Sequence, residues 1–318
     1  MPCALPGPLR TYGPPAQCPG LQLDEEGDGA LPRVLEREEL APKVVRLVVE
    51  EPELAAKRKP GQFLILRPNA KSERIPLSIA DTDPERGTVE LVVQEVGRTS
   101  GELCAKEVGD EIVDVVGPLG RPTHIENFGT AVCVGGGLGI APLYPIAKAL
   151  REAGNSVISI LGARSADLVI LEDRMRSISD EVVITTDDGT AGRKGLVTAA
   201  LKDLLDSGRK VDYCIAVGPP IMMKFVCETT RPFNVPTFVS LNTMMVDGTG
   251  MCGGCRVTVG GETKYVCVDG PEFDGHQVDF DEMMRRLSVY RDFEKRAYEK
   301  FLAEFAEGDH KCRVGLGA

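Results

Sequence analysis

Ala131-Val-Cys-Val-Gly-Gly-Gly-Leu-Gly-Ile-Ala-Pro142 decides how this chain folds. Four apolar residues give way to a glycine-rich turn, and helical spacing follows from about residue 141 to 153. A strand feeding a helix through such a turn aims backbone N–H groups and the helix dipole at one point, which favours a pyrophosphate. Gly135, Gly136, Gly137, Leu138, Gly139, Ala141 and Pro142 are therefore candidate nucleotide contacts. Tight strand-to-helix packing uses glycine equally well, so the turn alone leaves both readings open.

The unit repeats downstream. Val157-Ile-Ser-Ile-Leu, Val182-Val-Ile-Thr, Tyr213-Cys-Ile-Ala-Val and Thr237-Phe-Val-Ser-Leu read as strands, separated by helical stretches near 167–178, 195–206 and 219–229. This alternation predicts an α/β unit over residues 127–242, a parallel sheet covered on both faces. Three further loops fall at carboxyl ends of its strands, where open sheets bind ligands: Gly162, Ala163 and Arg164; Asp187, Asp188 and Gly189; Gly218, Pro219, Pro220 and Met222. Each is an ordinary loop by itself. Arg164 follows the second strand, where ribose selection is made, and an Arg there can hold a 2′-phosphate.

Upstream the period changes to two. Val44-Val-Arg-Leu-Val-Val, Gln62-Phe-Leu-Ile-Leu, Thr88-Val-Glu-Leu-Val-Val and Glu111-Ile-Val-Asp-Val-Val are separated by turn residues, which predicts an antiparallel β-barrel or sandwich over residues 32–126. Arg74-Ile-Pro-Leu-Ser78 sets a cation and a hydroxyl in one extended segment, suited to a phosphate and a hydrogen bond, or simply to a solvated surface. In Val96-Gly-Arg-Thr-Ser-Gly-Glu102, Thr99 and Glu102 have the spacing of a capping box, which leaves Ser100 and the loop N–H groups facing an anion or merely a well-capped short helix. Residues 1–31, rich in Pro and Gly and then acidic, read as a flexible leader.

Beyond the last strand, Asp247, Cys252, Cys255 and Cys267 make the pattern Asp-x4-Cys-x2-Cys-x11-Cys over residues 243–276. That is the plant-type [2Fe-2S] spacing with Asp in the first place. The run from Arg256 to Val266 reads as a hairpin that returns Cys267 to the turn. A zinc knuckle is the alternative, although the nearest histidine, His276, lies nine residues past Cys267. Residues 277–318 form the most helical-looking segment, with Asp279 and Glu282 as a cap pair and Met283, Leu287, Tyr290, Ala297, Phe301 and Phe305 near helical spacing over 279–306. A second apolar edge (Phe280, Phe293, Leu302) raises partner docking as a reading beside simple packing.

The chain of 318 residues carries a net charge of -11, which excludes the basic face a nucleic-acid partner requires. It has no apolar run of membrane-spanning length and no secretion signal at its start, so a membrane span is not expected. Cysteines outside the cluster pattern are scattered, and Cys133 and Cys214 fall inside apolar strands, as suits thiols in a reducing cytoplasm.

In order, Arg-x-x-x-Ser, the Gly-x-Thr-Ser turn, GGGxGxAP, GPP and a [2Fe-2S] loop resemble the ferredoxin-reductase-type flavoproteins. Within them, residues 32–306 are similar to the small electron-transfer subunits of dihydroorotate dehydrogenase, sulfide dehydrogenase and NADH-dependent reduced ferredoxin:NADP oxidoreductase. The resemblance implies an FAD-binding β-barrel, an NAD(H)-binding α/β domain with NADP(H) as the alternative, and a cluster segment. It implies FAD contacts from Arg74, Pro76, Leu77, Ser78 and Ile79, from Val92, Val93 and Gln94, and from Gly97, Thr99 and Ser100, with hydride transfer beside Ser78. It further implies a larger flavin and iron-sulfur partner subunit, with ferredoxin reached through the complex. A stand-alone ferredoxin reductase and a zinc-bearing nucleotide sensor are the competing readings. Two departures stand out: Leu77 occupies the usual Tyr place of the flavin motif, and Asp247 replaces the first cysteine of the dihydroorotate type, which shifts preference to the ferredoxin:NADP or sulfide dehydrogenase type.

Overall fold

The computed structural model describes residues 31–306. The leader expected over 1–31 falls, except for Leu31, outside them, as do Cys3, Cys18, Cys312 and the side chain of Phe305. The first part holds β1 (Val34–Ala41), β2 (Val44–Glu50), α1 (Pro52–Lys57), β3 (Phe63–Arg67), β4 (Ile75–Asp83), β5 (Thr88–Gln94), α2 (Arg98–Cys104) and β6 (Asp114–Leu119). Its strands form one six-stranded antiparallel sheet in the order β1-β2-β5-β4-β3-β6. Period-two alternation gives β2 and β5 one apolar face and one mixed face. Val45, Leu47, Val49, Leu91 and Val93 fill the core inside the sheet, while Val44 and Val92 pack outward against the next unit.

That unit comprises β7 (Thr130–Gly136), α3 (Ile140–Glu152), β8 (Ser156–Ala163), α4 (Glu172–Ile178), β9 (Glu181–Thr186), β10 (Arg193–Lys194), α5 (Val197–Asp206), β11 (Tyr213–Val217), α6 (Pro220–Thr230) and β12 (Thr237–Ser240). The sheet runs β10-β9-β8-β7-β11-β12 in parallel, as the alternation predicts, and a later strand extends its edge antiparallel. Strand residues alternate between two buried faces: Val132 and Val134 meet α5 and α6, while Ala131 and Cys133 meet α3. Ala41, Val44, Ala80 and Val92 of the first sheet share a core with Ile140, Leu143 and Tyr144 of α3, so the two sheets close over a common apolar seam. Glu90 adds an ionic stitch, accepting from Arg46 Nε at 2.6 Å on its own sheet and from Arg174 of α4 at 2.6 Å.

The remainder folds as β13 (Arg256–Val259), β14 (Glu262–Tyr265), α7 (Val266–Asp269), β15 (Glu272–Asp274), α8 (Phe280–Leu287) and α9 (Arg291–Ala306). The expected hairpin is β13 and β14, turned by Gly260 and Gly261 at φ 60° and 82°, the left-handed pair that a two-residue turn requires. β15 is the antiparallel edge strand beside β12. Asp279 caps α8 as the sequence indicates, accepting from Glu282 N at 2.8 Å, but the single helix expected over 279–306 breaks at 288–290. Phe280 and Phe301 are buried, whereas Phe293 and Leu302 remain exposed, so the second apolar edge is divided between core and surface. Among the described residues, no helix is long and apolar enough to cross a membrane.

Candidate functional site

A cleft of about 820 Å³ opens between the two sheets. From the first sheet it takes Pro76, Leu77 and Ser78 of β4 and Val92 and Gln94 of β5. The α/β side contributes Gly136 to Gly139, Ala141, Pro142, Gly162, Ala163, Arg164, Asp187 and Gly218 through Pro220, with Met222. The floor is shaped by close backbone approach. A Cβ on Gly139 would stand 2.2 Å from the carbonyl oxygen of Val217, so β11 and the start of α3 meet only because no side chain intervenes.

Other residues named from the sequence lie elsewhere. Ile79 and Val93 point into the core of the first sheet, since alternation turns them away from the cleft that Ser78 and Val92 face. Arg74 is half exposed and pairs with Asp114 at 3.3 Å. Gly135 is packed against Leu143 and Ile140 behind the glycine turn, and Asp188 accepts from Thr190 N at 2.9 Å in the turn that continues through Gly189. The capping box expected between Thr99 and Glu102 is displaced by two residues. Gly97, in extended conformation, is the N-cap, Thr99 is buried, and Ser100 Oγ accepts from the N–H groups of Val96 (3.0 Å) and Gly97 (2.9 Å). Glu102 instead ties α2 to the loop before Arg74 through the Ser72 hydroxyl and accepts from Arg98 Nε at 2.9 Å. Ser100 Oγ is thus engaged by its own backbone, also donating to Gly97 O at 3.0 Å.

The cleft also contains residues that sequence reasoning missed: Val44, Phe63, Leu196, Asn242, Thr243, Met245 and Pro271. Most of these arrive from strand ends and loops distant in sequence. The 240–245 stretch carried one usable signal, because it leaves the carboxyl end of the last parallel strand.

It also leads directly into the cluster loop, where Thr243 Oγ1 lies 3.5 Å from the carbonyl oxygen of Cys255. The four donors stand as two pairs. Cys252 Sγ is 3.3 Å from Asp247 Oδ1 at the surface, and the buried Cys255 and Cys267 bring their sulfurs to 3.2 Å, too far for a disulfide. No three metal-binding side chains converge on a single ion among the described residues. Two pairs suit a two-iron centre, each iron taking two protein donors, better than the single tetrahedral ion of a zinc knuckle. Backbone N–H groups already face sulfur, from Gly254 to Cys252 at 3.4 Å and from Cys267 to Cys255 at 3.5 Å. Partial burial raises the pKa of Asp247, but the Cys252 thiol and the N–H groups of Cys252 and Thr249 overcome this and hold it at about 2. Asp247 is therefore a carboxylate anion at neutral pH. Burial, and then the neighbouring Cys255, push the Cys267 thiol up to about 12, so a bound cation is what would draw off its proton.

Two family models match the chain: the oxidoreductase NAD-binding domain over residues 133–228, and the iron-sulfur cluster binding domain of dihydroorotate dehydrogenase B over residues 242–279. A Thermotoga maritima protein named as a homolog of the dihydroorotate dehydrogenase B (NAD(+)) electron transfer subunit is 53% identical over 283 residues, covering 89% of this chain and 100% of that one. The solved structure of an NADH-dependent reduced ferredoxin-NADP oxidoreductase, described in connection with flavin-based electron bifurcation, is 52% identical with a TM-score of 0.82 and covers 87% of this chain and 99% of its own. A ferredoxin NADP+ reductase from Neisseria gonorrhoeae with bound FAD and NADP shares the fold at 19% identity and a TM-score of 0.52, over 64% of this chain and 91% of that one. Identity above one half across nearly the whole described chain is decisive: the protein belongs to the dihydroorotate dehydrogenase B electron-transfer subunit family.

Proposed function

We propose that this chain is the electron-transfer subunit of an NAD(H)-dependent flavin and iron-sulfur oxidoreductase, passing electrons between nicotinamide and a larger partner subunit, most closely of the reduced ferredoxin:NADP type. The observation that carries this is the continuity of the 240–245 stretch, whose Thr243 lines the cleft and reaches the backbone of the cluster-loop residue Cys255. FAD, when bound, supplies the conversion between two-electron hydride chemistry and the one-electron chemistry of the [2Fe-2S] cluster.

The chain's own residues position and insulate. Phe63, Leu77 and Pro271 wall the cleft with apolar surface and exclude water, while Ser78 offers a hydroxyl to a flavin ring edge. Leu77 stands where an aromatic would stack, so ring contact there is aliphatic. Backbone N–H groups of the 136–139 turn, at the start of the 13-residue helix α3, receive the pyrophosphate of the dinucleotide. Asp247 with Cys252, and Cys255 with Cys267, would hold the cluster, which would supply one-electron transfer. Exposed Val246 and Met251, next in sequence to Asp247 and Cys252, belong to the face on which the partner docks.

NAD(H) is the preferred dinucleotide. Arg164, exposed at the end of β8 and lining the cleft, favours NADP(H) as a second reading. We also read the first sheet as a closed barrel over 32–126, supported by an antiparallel bridge from Arg33 to Glu111 and by Val34 N donating to Asp110 O at 2.9 Å, and retain 127–242, 243–276 and 277–318 as the following units. The free thiols throughout the described residues agree with a reducing cytoplasm. An anaerobic visible spectrum of the purified protein, titrated separately with NADH and NADPH, tests the whole reading. Flavin and iron-sulfur absorbance bleaching together with NADH is the expected result; a flavin spectrum without the iron-sulfur shoulder refutes the cluster site, and a colourless protein containing zinc refutes the reductase.

A further inference from the structure

β2 and β5 pair in register, and the Val44–Gln94 rung at the end of their ladder walls the cleft with both its members. Immediately beyond it the chain does not fray. Glu95 N donates to Lys43 O at 2.9 Å, and Lys43 Nζ reaches Glu95 Oε1 at 3.2 Å. Lys43 adopts φ 62° as the second residue of the two-residue Pro42-Lys43 turn that joins β1 to β2. A further contact to this turn comes from the other end of the chain. Tyr298 of α9 donates its hydroxyl to Glu95 Oε1 at 2.5 Å and accepts from Lys43 Nζ at 2.9 Å, with the Lys43 ammonium 5.6 Å from its ring centre.

Helix α9 is anchored through one buried residue. Phe301 is buried and stacks with Tyr298 at 6.2 Å between ring centres. It presses on α2 at Gly101, where an added Cβ would come within 2.5 Å of the ring. Neither family model extends past residue 279, so α9 lies outside both matched domains.

We propose that Tyr298 is a positioning residue for the flavin: by clasping the Lys43–Glu95 rung it fixes the adjacent Val44–Gln94 rung that walls the cleft. This rests on the reading of that cleft as the flavin site. A rung held from outside keeps the cleft wall in its binding geometry before the cofactor arrives, which is where preorganisation raises affinity.

The test is the FAD dissociation constant of the full chain, read from flavin fluorescence, beside its melting temperature and iron-sulfur absorbance. Tyr298→Phe keeps the ring and its stacking on Phe301 but removes the hydroxyl, and should weaken FAD binding up to about tenfold, the cost of ordering on binding a rung that the clasp otherwise holds in place. Melting temperature and cluster absorbance should stay at wild-type values. Glu95→Leu, which removes the acceptor, should weaken FAD similarly, and the double variant should be no worse than either single one, because both break the same clasp. Unchanged FAD affinity in Tyr298→Phe, or a loss that merely follows a fall in melting temperature, overturns the proposal. Ser78→Ala and Gln94→Leu separate the two levels. If they weaken FAD while Tyr298→Phe does not, only the clasp is wrong; if they leave FAD binding untouched, the cleft reading fails and the clasp with it.

Discussion

Gly139→Ala is the sharpest perturbation the cleft offers, because its effect follows from a distance. The new Cβ would stand 2.2 Å from Val217 O and 2.6 Å from the carbonyl carbon, both backbone atoms of a central strand that cannot rotate away. Restoring an ordinary contact of about 3.4 Å requires the turn and β11 to separate by roughly 1 Å, and misplacement on that scale costs about 100-fold in a reaction that depends on orientation. Gly137→Ala is the matched control. Gly137 has φ 55° but open space where its Cβ would point, so the substitution meets only the left-handed backbone penalty of about 1–2 kcal/mol. Stopped-flow reduction of the flavin by NADH under anaerobic conditions measures both, with flavin content and cluster absorbance confirming that the rest of the protein is intact. Gly139→Ala should lose about two orders of magnitude and Gly137→Ala less than one. Equal effects, or flavin reduction in Gly139→Ala within about threefold of wild type, would refute the assignment of this turn to the dinucleotide.

Two further outcomes follow from groups whose charge the fold controls. Asp247→Cys should retain the iron-sulfur absorbance with a shifted midpoint potential in an EPR-monitored redox titration, since a softer donor replaces a carboxylate at the surface pair; Asp247→Ala should lose the cluster, and a full spectrum at unchanged potential would remove Asp247 from the ligand set. Glu272 of β15 is half-buried, and its desolvation raises its carboxyl pKa to about 7 against the lowering influence of Thr123. The folded chain therefore binds this proton more tightly than the unfolded chain, and stability should fall as pH rises from the unfolded value near 4.5 through about 7. Glu272→Gln should abolish that slope and gain up to about 3 kcal/mol over wild type at pH 8, measured by urea denaturation at pH 5 and pH 8; parallel pH profiles would show that Glu272 is not the source.

The α/β order was legible because each strand–turn–helix unit carries its own change of period, and the β13–β14 hairpin because Gly260-Gly261 admits few alternatives. Site residues on strands were legible to within one position. Alternation alone could have removed Ile79 once Ser78 was taken as facing the cleft, and Val93 once Val92 was. The cap at α2 was misread because Thr99 and Glu102 have capping-box spacing, whereas the N-cap is Gly97, which has no side chain to signal it and is identified only by its extended backbone. Phe63 and Pro271 enter the cleft by tertiary proximity, which no local pattern encodes. The break at 288–290 was hidden because apolar spacing continues across it.

The apolar seam between the sheets has a consequence for anyone wishing to change the dinucleotide preference by exchange of parts. Ala41, Val44, Ala80 and Val92 belong to the interior of the α/β half as much as to their own sheet. A nucleotide-binding half transplanted from a relative would arrive with its α3 surface moulded to a different neighbour. The exchangeable piece is therefore larger than the parallel sheet: a working chimera must carry these four positions along with the donor half, or re-tailor them to fit.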